Sequence, residues 1–113
     1  MTTIYHNPRC TKSRETMQFL EQKGETITVI QYLEQVPTQK ELRELIKMLG
    51  IQPIELVRKN EAVWKEQYKG KELTNAQIIK AMVTHPRLIE RPIVVKNGRA
   101  AIGRPPESVS SIL

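Results

Sequence analysis

The sequence predicts an α/β protein built on a four-stranded mixed sheet, with a βαβ unit first, a ββα unit last and a helical insertion between them. Three observations support this prediction. Two β-branched segments flank an N-terminal helix, capping boxes mark two central helices, and Asn97-Gly98 joins two apolar runs near the C-terminus. With 113 residues the chain fits one domain. We therefore predict a single domain over residues 1–113, with the insertion at about 38–85.

The βαβ unit is predicted from the first 32 residues. Residues 3–6 form a short apolar strand that ends before Pro8, and residues 27–32 are rich in β-branched side chains. Between them, residues 11–23 predict a helix with Gly24 as its stop. The predicted apolar side of this helix carries Met17, Phe19 and Leu20.

The insertion is predicted to be helical. Thr38 with Glu41 and Thr74 with Gln77 have the capping-box spacing, and an apolar stripe follows each pair. Pro53 is expected to open a short helix. The polar segment 59–71 is predicted to mix helix and loop.

The ββα unit is predicted from the last 23 residues. Residues 91–96 and 99–102 form two strands, because Asn-Gly favours the two-residue hairpin turn between them. A short helix then opens at residues 105–107. Its predicted buried side chains are Val109, Ile112 and Leu113.

Composition limits the function classes. The chain carries 18 basic and 12 acidic residues, a net charge of +6, which suggests an anionic partner. Aromatic residues make up only 4%, so platforms for stacking nucleic-acid bases are scarce and a small oxyanion fits better than a polymer. One cysteine excludes an internal disulfide and favours a reducing compartment. With no signal peptide or membrane span evident, we expect a cytoplasmic protein with no membrane or nucleic-acid partner.

Cys10 lies where the first strand is predicted to turn into the first helix. A helix N-terminus presents unpaired N–H groups and the positive end of the helix dipole, so a thiol there is expected to ionise more readily. The same N–H groups form a site for an anion. His6, Arg9, Lys12 and Arg14 add positive charge. Ser13 replaces the second cysteine of a C-x-x-C motif, so an outside thiol must regenerate Cys10 after reaction.

Other interpretations of this segment stay open or fail. Cys10 could be an inert buried thiol, as free cysteines often are. The C-x5-R spacing of a phosphatase loop fails because position 16 is threonine, and one cysteine with His6 and His85 is too little for an ordinary zinc site. His6 could stabilise the sulfur or could simply end the strand. His85 is predicted to be structural.

Three arginines are candidates for binding an oxyanion. Arg58 follows an apolar group, Arg91 precedes a strand that begins with proline, and Arg104 lies between Gly103 and Pro105. Guanidinium forks match the geometry of a tetrahedral oxyanion. Spacing alone does not show that the three converge.

Four motifs, taken in order, resemble the glutaredoxin-linked arsenate reductases, and most closely their short ArsC-like branch. They are His-Asn-Pro-Arg-Cys-Thr-Lys-Ser-Arg at 6–14, Leu-Val-Arg-Lys-Asn at 56–60, Glu-Arg-Pro-Ile-Val-Val at 90–95 and Gly-Arg-Pro-Pro-Glu at 103–107. The resemblance implies a thioredoxin-like fold with a helical insertion. It also implies that Pro92 is the cis-proline typical of that fold.

The resemblance further implies roles for the candidate residues. Cys10 would attack arsenate, His6 and Ser13 would favour its thiolate, and the arginines at 58, 91 and 104 would hold the oxyanion. Glutathione would be a co-substrate and glutaredoxin a transient partner, with no bound cofactor and no metal. Arg9 and Lys12 are larger and more charged than the residues of better-studied family members at these positions.

Two other functions fit parts of the sequence. One is a glutathione-dependent thiol or disulfide reductase that does not act on arsenate in the cell. The other is a redox-sensing regulator that binds RNA polymerase, but such regulators usually carry C-x-x-C without the histidine, so Ser13 and His6 argue against it. Nonspecific nucleic-acid binding is a weaker alternative and would show a steep salt dependence.

Overall fold

The computed structural model describes residues 1–113 as two units, the first formed by Met1–Gln35 with Arg91–Leu113 and the second by Val36–Glu90. The first unit contains strands β1 (Thr2–Tyr5), β2 (Ile27–Ile30), β3 (Ile93–Lys96) and β4 (Arg99–Ile102), helix α1 (Thr11–Gln22) and a 3₁₀ helix (Pro106–Ile112). The second contains helices α2 (Gln39–Leu49), α3 (Ala62–Gln67) and α4 (Asn75–Thr84), with 3₁₀ helices at Pro53–Leu56 and Pro86–Leu88.

The four strands form one mixed sheet in the order β2-β1-β3-β4, which confirms the predicted fold class. Strand β1 is parallel to β2 and antiparallel to β3, and β3 is antiparallel to β4. Tyr5 pairs with both Ile30 and Ile93, and Ile93 pairs with Ile102. The ends of β1, β2 and β4 and the start of β3 therefore lie at one edge of the sheet.

The core of the first unit lies between the sheet, α1 and the C-terminal 3₁₀ helix. Its buried members are Ile4, Leu20, Val94, Val109 and Ile112, with Met17, Phe19, Ile27 and Ala101 packed partly buried against them. Burial of this apolar surface is the main force holding α1 on the sheet. The predicted hairpin is confirmed as well, since Asn97 (φ 51°) and Gly98 (φ 73°) adopt the left-handed conformation of a two-residue turn.

The second unit is helical, as predicted. Both capping boxes form, with Glu41 N donating to Thr38 Oγ1 at 3.1 Å and Gln77 N donating to Thr74 Oγ1 at 3.2 Å. Gly50 ends α2 in the left-handed conformation. The prediction of one domain over residues 1–113 stays a prediction.

Several predicted boundaries and faces are wrong in detail. β1 begins and ends one residue earlier than predicted, β2 ends at Ile30, β3 begins at Ile93 and α1 ends at Gln22. Leu113 is 36% exposed rather than buried, because the C-terminal segment is a 3₁₀ helix whose three-residue period buries Val109 and Ile112. The fully packed side of α1 carries Ser13, Thr16 and Leu20, whereas Met17 and Phe19 are only partly buried.

Candidate active site

Cys10 is the N-cap residue of α1, in the position that the sequence predicts. Its carbonyl accepts the first helical hydrogen bond from Arg14 N at 3.0 Å, and its own N–H donates to Asn7 O at 3.0 Å. Cys10 as a residue is 7% exposed, and α1 has no acidic residue in its first turn. The sulfur therefore lies at the positive end of a helix with no nearby carboxylate on that turn to offset the dipole.

His6 and Ser13 form a buried pair behind this loop. His6 Nδ1 lies 2.6 Å from Ser13 Oγ, and Asn7 N donates to the same Oγ at 3.0 Å. Burial lowers the pKa of His6, and the charge of Arg14 lowers it further. A neutral ring carries one N–H, so Nδ1 accepts the Ser13 hydroxyl hydrogen in one tautomer and donates to the Ser13 oxygen in the other. These hydrogen bonds join the residues that follow β1 to the first turn of α1, on the two sides of Cys10.

Arg14 braces the same loop from its exposed side. Its Nη1 donates to Pro8 O at 3.0 Å and its Nη2 to Thr11 Oγ1 at 3.3 Å. The guanidinium thus spans the turn that carries the thiol. Because it also helps to keep His6 neutral, Arg14 links the loop conformation to the protonation of the buried pair.

Arg104 is brought next to Cys10 by the sheet, although 94 residues separate them in sequence. Its Nη2 lies 3.6 Å from Cys10 Sγ, and its Nε donates to Arg91 O at 2.9 Å. Arg91 itself lies just before β3 with its Nε and Nη1 atoms buried. The edge of the sheet defined above therefore gathers Cys10, Arg91 and Arg104.

The segment that presents Arg104 approaches α1 closely. Thr16 Oγ1 donates to Lys12 O at 2.8 Å and lies 3.3 Å from Gly103 O, while Gly103 N donates to Pro92 O at 2.9 Å. A Cβ at position 103 would overlap the Thr16 side chain and lie 2.8 Å from Pro92 Cγ. Pro92 follows a cis peptide bond, as the resemblance implied, and so does Pro105.

Arg58 belongs to the second unit and is held there by carboxylates. The segment at Val57 pairs with Ile89, and Arg58 N donates to Leu88 O at 2.7 Å. Its guanidinium forms an ion pair with Glu61 at 3.1 Å and lies 3.9 Å from Glu90 Oε1. The structure thus brings together five of the six candidate residues in the first unit and places Arg58 within an acidic pair in the second.

Sequence reasoning missed Asn7, Thr16 and the close approach at Gly103, and it gave Arg14 no specific role. One signal was present in the sequence. Ser13, Thr16 and Leu20 share one face of a helix at the i, i+3, i+7 spacing, so two small polar residues continue the buried stripe toward Cys10. The other contacts depend on loop geometry that spacing does not reveal.

Comparisons with known proteins agree with this geometry. The ArsC family matches residues 5–112. The arsenate reductase of Haemophilus influenzae is 42% identical, covering 97% of both chains, and the Escherichia coli protein YfgD, of uncharacterized function, is 48% identical over 97% of this chain and 94% of its own. The solved arsenate reductase of Vibrio cholerae has a TM-score of 0.95 and 47% identity, covering 99% of this chain and 97% of its own.

The fold and site define a thioredoxin-like protein with one cysteine at a helix N-cap beside an arginine. Its similarity to relatives named arsenate reductase indicates that the protein is an oxidoreductase. The chain belongs to the ArsC family of arsenate reductases. No helix is both long and apolar enough to span a membrane.

Proposed function

We propose that the protein reduces arsenate to arsenite through a covalent adduct on Cys10, with glutathione and glutaredoxin as external reductants. One observation carries the proposal, the 3.6 Å approach of Arg104 Nη2 to Cys10 Sγ at the N-cap of α1. The arrangement offers a nucleophile and an anion site at the same point. Relatives named arsenate reductase, 38% and 42% identical to this chain, support the choice of oxyanion.

The proposed reaction has three steps that balance in atoms and electrons. The Cys10 thiolate attacks arsenic(V), forming an S–As bond, and one oxygen leaves as hydroxide or, after protonation, as water. The sulfur of glutathione then attacks Cys10 Sγ, and the S–As bond breaks with its electron pair going to arsenic, which leaves as arsenite. Cys10 and glutathione are joined as a mixed disulfide. A glutaredoxin thiolate attacks the glutathione sulfur and releases the Cys10 thiolate.

The remaining residues would bind the anion, stabilise the transition state and hold the loop that carries Cys10. Arg104 and Arg91 would bind the oxygens of the anion. Their fixed positive charge would favour the transition state, in which negative charge builds on the departing oxygen. His6 and Ser13 would hold the loop and favour the Cys10 thiolate, as the family resemblance implies. A supply of glutathione implies a reducing compartment, which is why cytoplasmic localisation forms part of the proposal.

The central test is arsenite production by the purified protein with glutathione and glutaredoxin. We expect Cys10→Ser to abolish turnover, because a serine hydroxyl cannot form the mixed disulfide. The exposed Ser108→Ala variant is the matched control and should retain wild-type turnover. Circular dichroism would check that both variants fold. Turnover by a folded Cys10→Ser variant at the wild-type rate would rule the mechanism out.

A second candidate function uses the same contact. Arg104 beside Cys10 would also stabilise a thiolate that attacks disulfides directly, without an oxyanion. Turnover of arsenate and of a glutathione mixed disulfide, measured side by side, separates the two. Preference for the mixed disulfide, with no arsenite formed, would favour the thiol reductase.

A further inference from the structure

A cavity of about 320 Å³ lies beside the loop that carries Cys10. One wall is formed by residues 6–9, which follow β1, and the other by Gln31, Leu33 and Glu34, which follow β2. This volume is within the range of small-molecule sites, about 300–1,000 Å³. The cavity also lies at the carboxyl ends of two parallel strands, where open α/β sheets commonly bind ligands.

Hydrogen bonds donated by backbone N–H groups fix both walls. His6 N donates to Ile30 O at 2.8 Å and so joins the end of β1 to the end of β2. Arg9 N donates to Asn7 Oδ1 at 3.0 Å, and Glu34 N donates to Gln31 O at 3.0 Å. Each wall is therefore a closed turn, and the space between them does not depend on a long loose loop.

The lining carries both signs of charge. Arg9 offers a guanidinium, Glu34 a carboxylate and Gln31 an amide, while Leu33 is apolar and 39% exposed. A simple oxyanion would be repelled by Glu34. A ligand with a carboxylate, an ammonium group, amide bonds and a short aliphatic part matches all four side chains.

We propose that this cavity binds the peptide thiol co-substrate, a small zwitterionic peptide of the glutathione type. Arg9 binds a carboxylate of the peptide, Glu34 its α-ammonium group, Gln31 an amide and Leu33 the aliphatic chain. Because residues 6–9 run directly into Cys10, a peptide held there is held on the loop that carries the reacting sulfur. The inference rests on the proposed function for the identity of the co-substrate.

Binding is tested with S-methylglutathione, which has no free thiol and cannot react with Cys10. Titrated into the wild-type protein, it should give saturable NMR shifts of the backbone amides of Gln31, Leu33 and Glu34. Arg9→Gln and Glu34→Gln should each raise the apparent Kd at least fivefold. Two exposed charges that do not line the cavity provide matched controls, and Arg99→Gln and Glu21→Gln should bind as the wild type does.

Two results would overturn the assignment. One is the absence of saturable shifts at the cavity, or their appearance elsewhere, and the other is equal affinity in all five proteins. The titration involves no arsenate, so it can succeed or fail whether or not arsenate is reduced. Where turnover is present, Arg9→Gln should raise KM for glutathione with KM for arsenate unchanged, and a rise in KM for arsenate alone would contradict the inference.

Discussion

At the scale of single residues, the decisive contact joins Cys10 to an arginine from the far end of the chain. The position of Cys10 could be predicted, because a strand, a proline and a helix follow each other closely in sequence. The hydrogen-bond partners of the Ser13 hydroxyl could not be predicted. Spacing places Ser13 near both His6 and Cys10, and only the side-chain positions show that Asn7 N and His6 Nδ1 share its oxygen.

Arg104 should control the reactivity of the thiol. Arg104 is an exposed residue, so the interaction of its guanidinium with a charged sulfur 3.6 Å away contributes on the order of 1 kcal/mol. We expect Arg104→Gln to slow alkylation of Cys10 by iodoacetamide at pH 7 by about fivefold. In the Arg104→Lys variant, Cys10 should be alkylated at a rate between those of the Arg104→Gln variant and the wild type. Identical rates in the glutamine variant and the wild type would show that the contact has no electrostatic role.

His6 makes the stability of the protein depend on pH. Burial and, to a smaller degree, Arg14 lower its pKa below the ordinary 6.5, so the folded state disfavours the protonated ring. The resulting stability is present above pH 6.5 and is lost as pH falls through the folded pKa. We expect Arg14→Gln to raise the pKa of His6, measured by NMR titration of the ring with His85 as internal reference. An unchanged midpoint would contradict the linkage between Arg14 and the buried pair.

At the scale of elements, the sequence predicts the features that depend on contacts between residues close together in the chain. Both capping boxes and the Asn97-Gly98 turn formed as expected because each depends on residues within four positions of one another. The buried face of α1 was harder to predict. Thr16 is packed against the segment at Gly103, and a contact across 87 residues has no local signature.

Gly103 should be intolerant of any side chain. Its backbone lies against Thr16 and Pro92, and an added methyl group would overlap both. Overpacking of this kind typically costs about 1–3 kcal/mol. We expect Gly103→Ala to lower the free energy of unfolding by that amount in urea denaturation, while the exposed Ser110→Ala variant stays near the wild type. A stability equal to that of the control would mean that the segment shifts freely.

At the scale of the whole molecule, the order of the strands explains why candidates far apart in sequence meet. β1 pairs with both β2 and β3, so the loop after β1, Arg91 before β3 and Arg104 after β4 share one edge of the sheet. The class of fold could be predicted from the order of elements. The convergence of Arg91 and Arg104 with Cys10 could not, because it depends on the antiparallel placement of β3 beside β1.

The same convergence predicts how the whole protein responds to anions. An oxyanion held by Arg91 and Arg104 would bind only the folded state, so at 100 times its Kd it would add about 2.7 kcal/mol to stability. For a chain of this size that is a rise in Tm of roughly 10 °C. Arsenate should produce this rise in a thermal melt, and Arg91→Gln should reduce it. Nitrate at matched ionic strength is the control, because it screens the net charge of +6 without tetrahedral oxygens. An equal rise with nitrate would assign the effect to charge screening and remove the support for a specific oxyanion site.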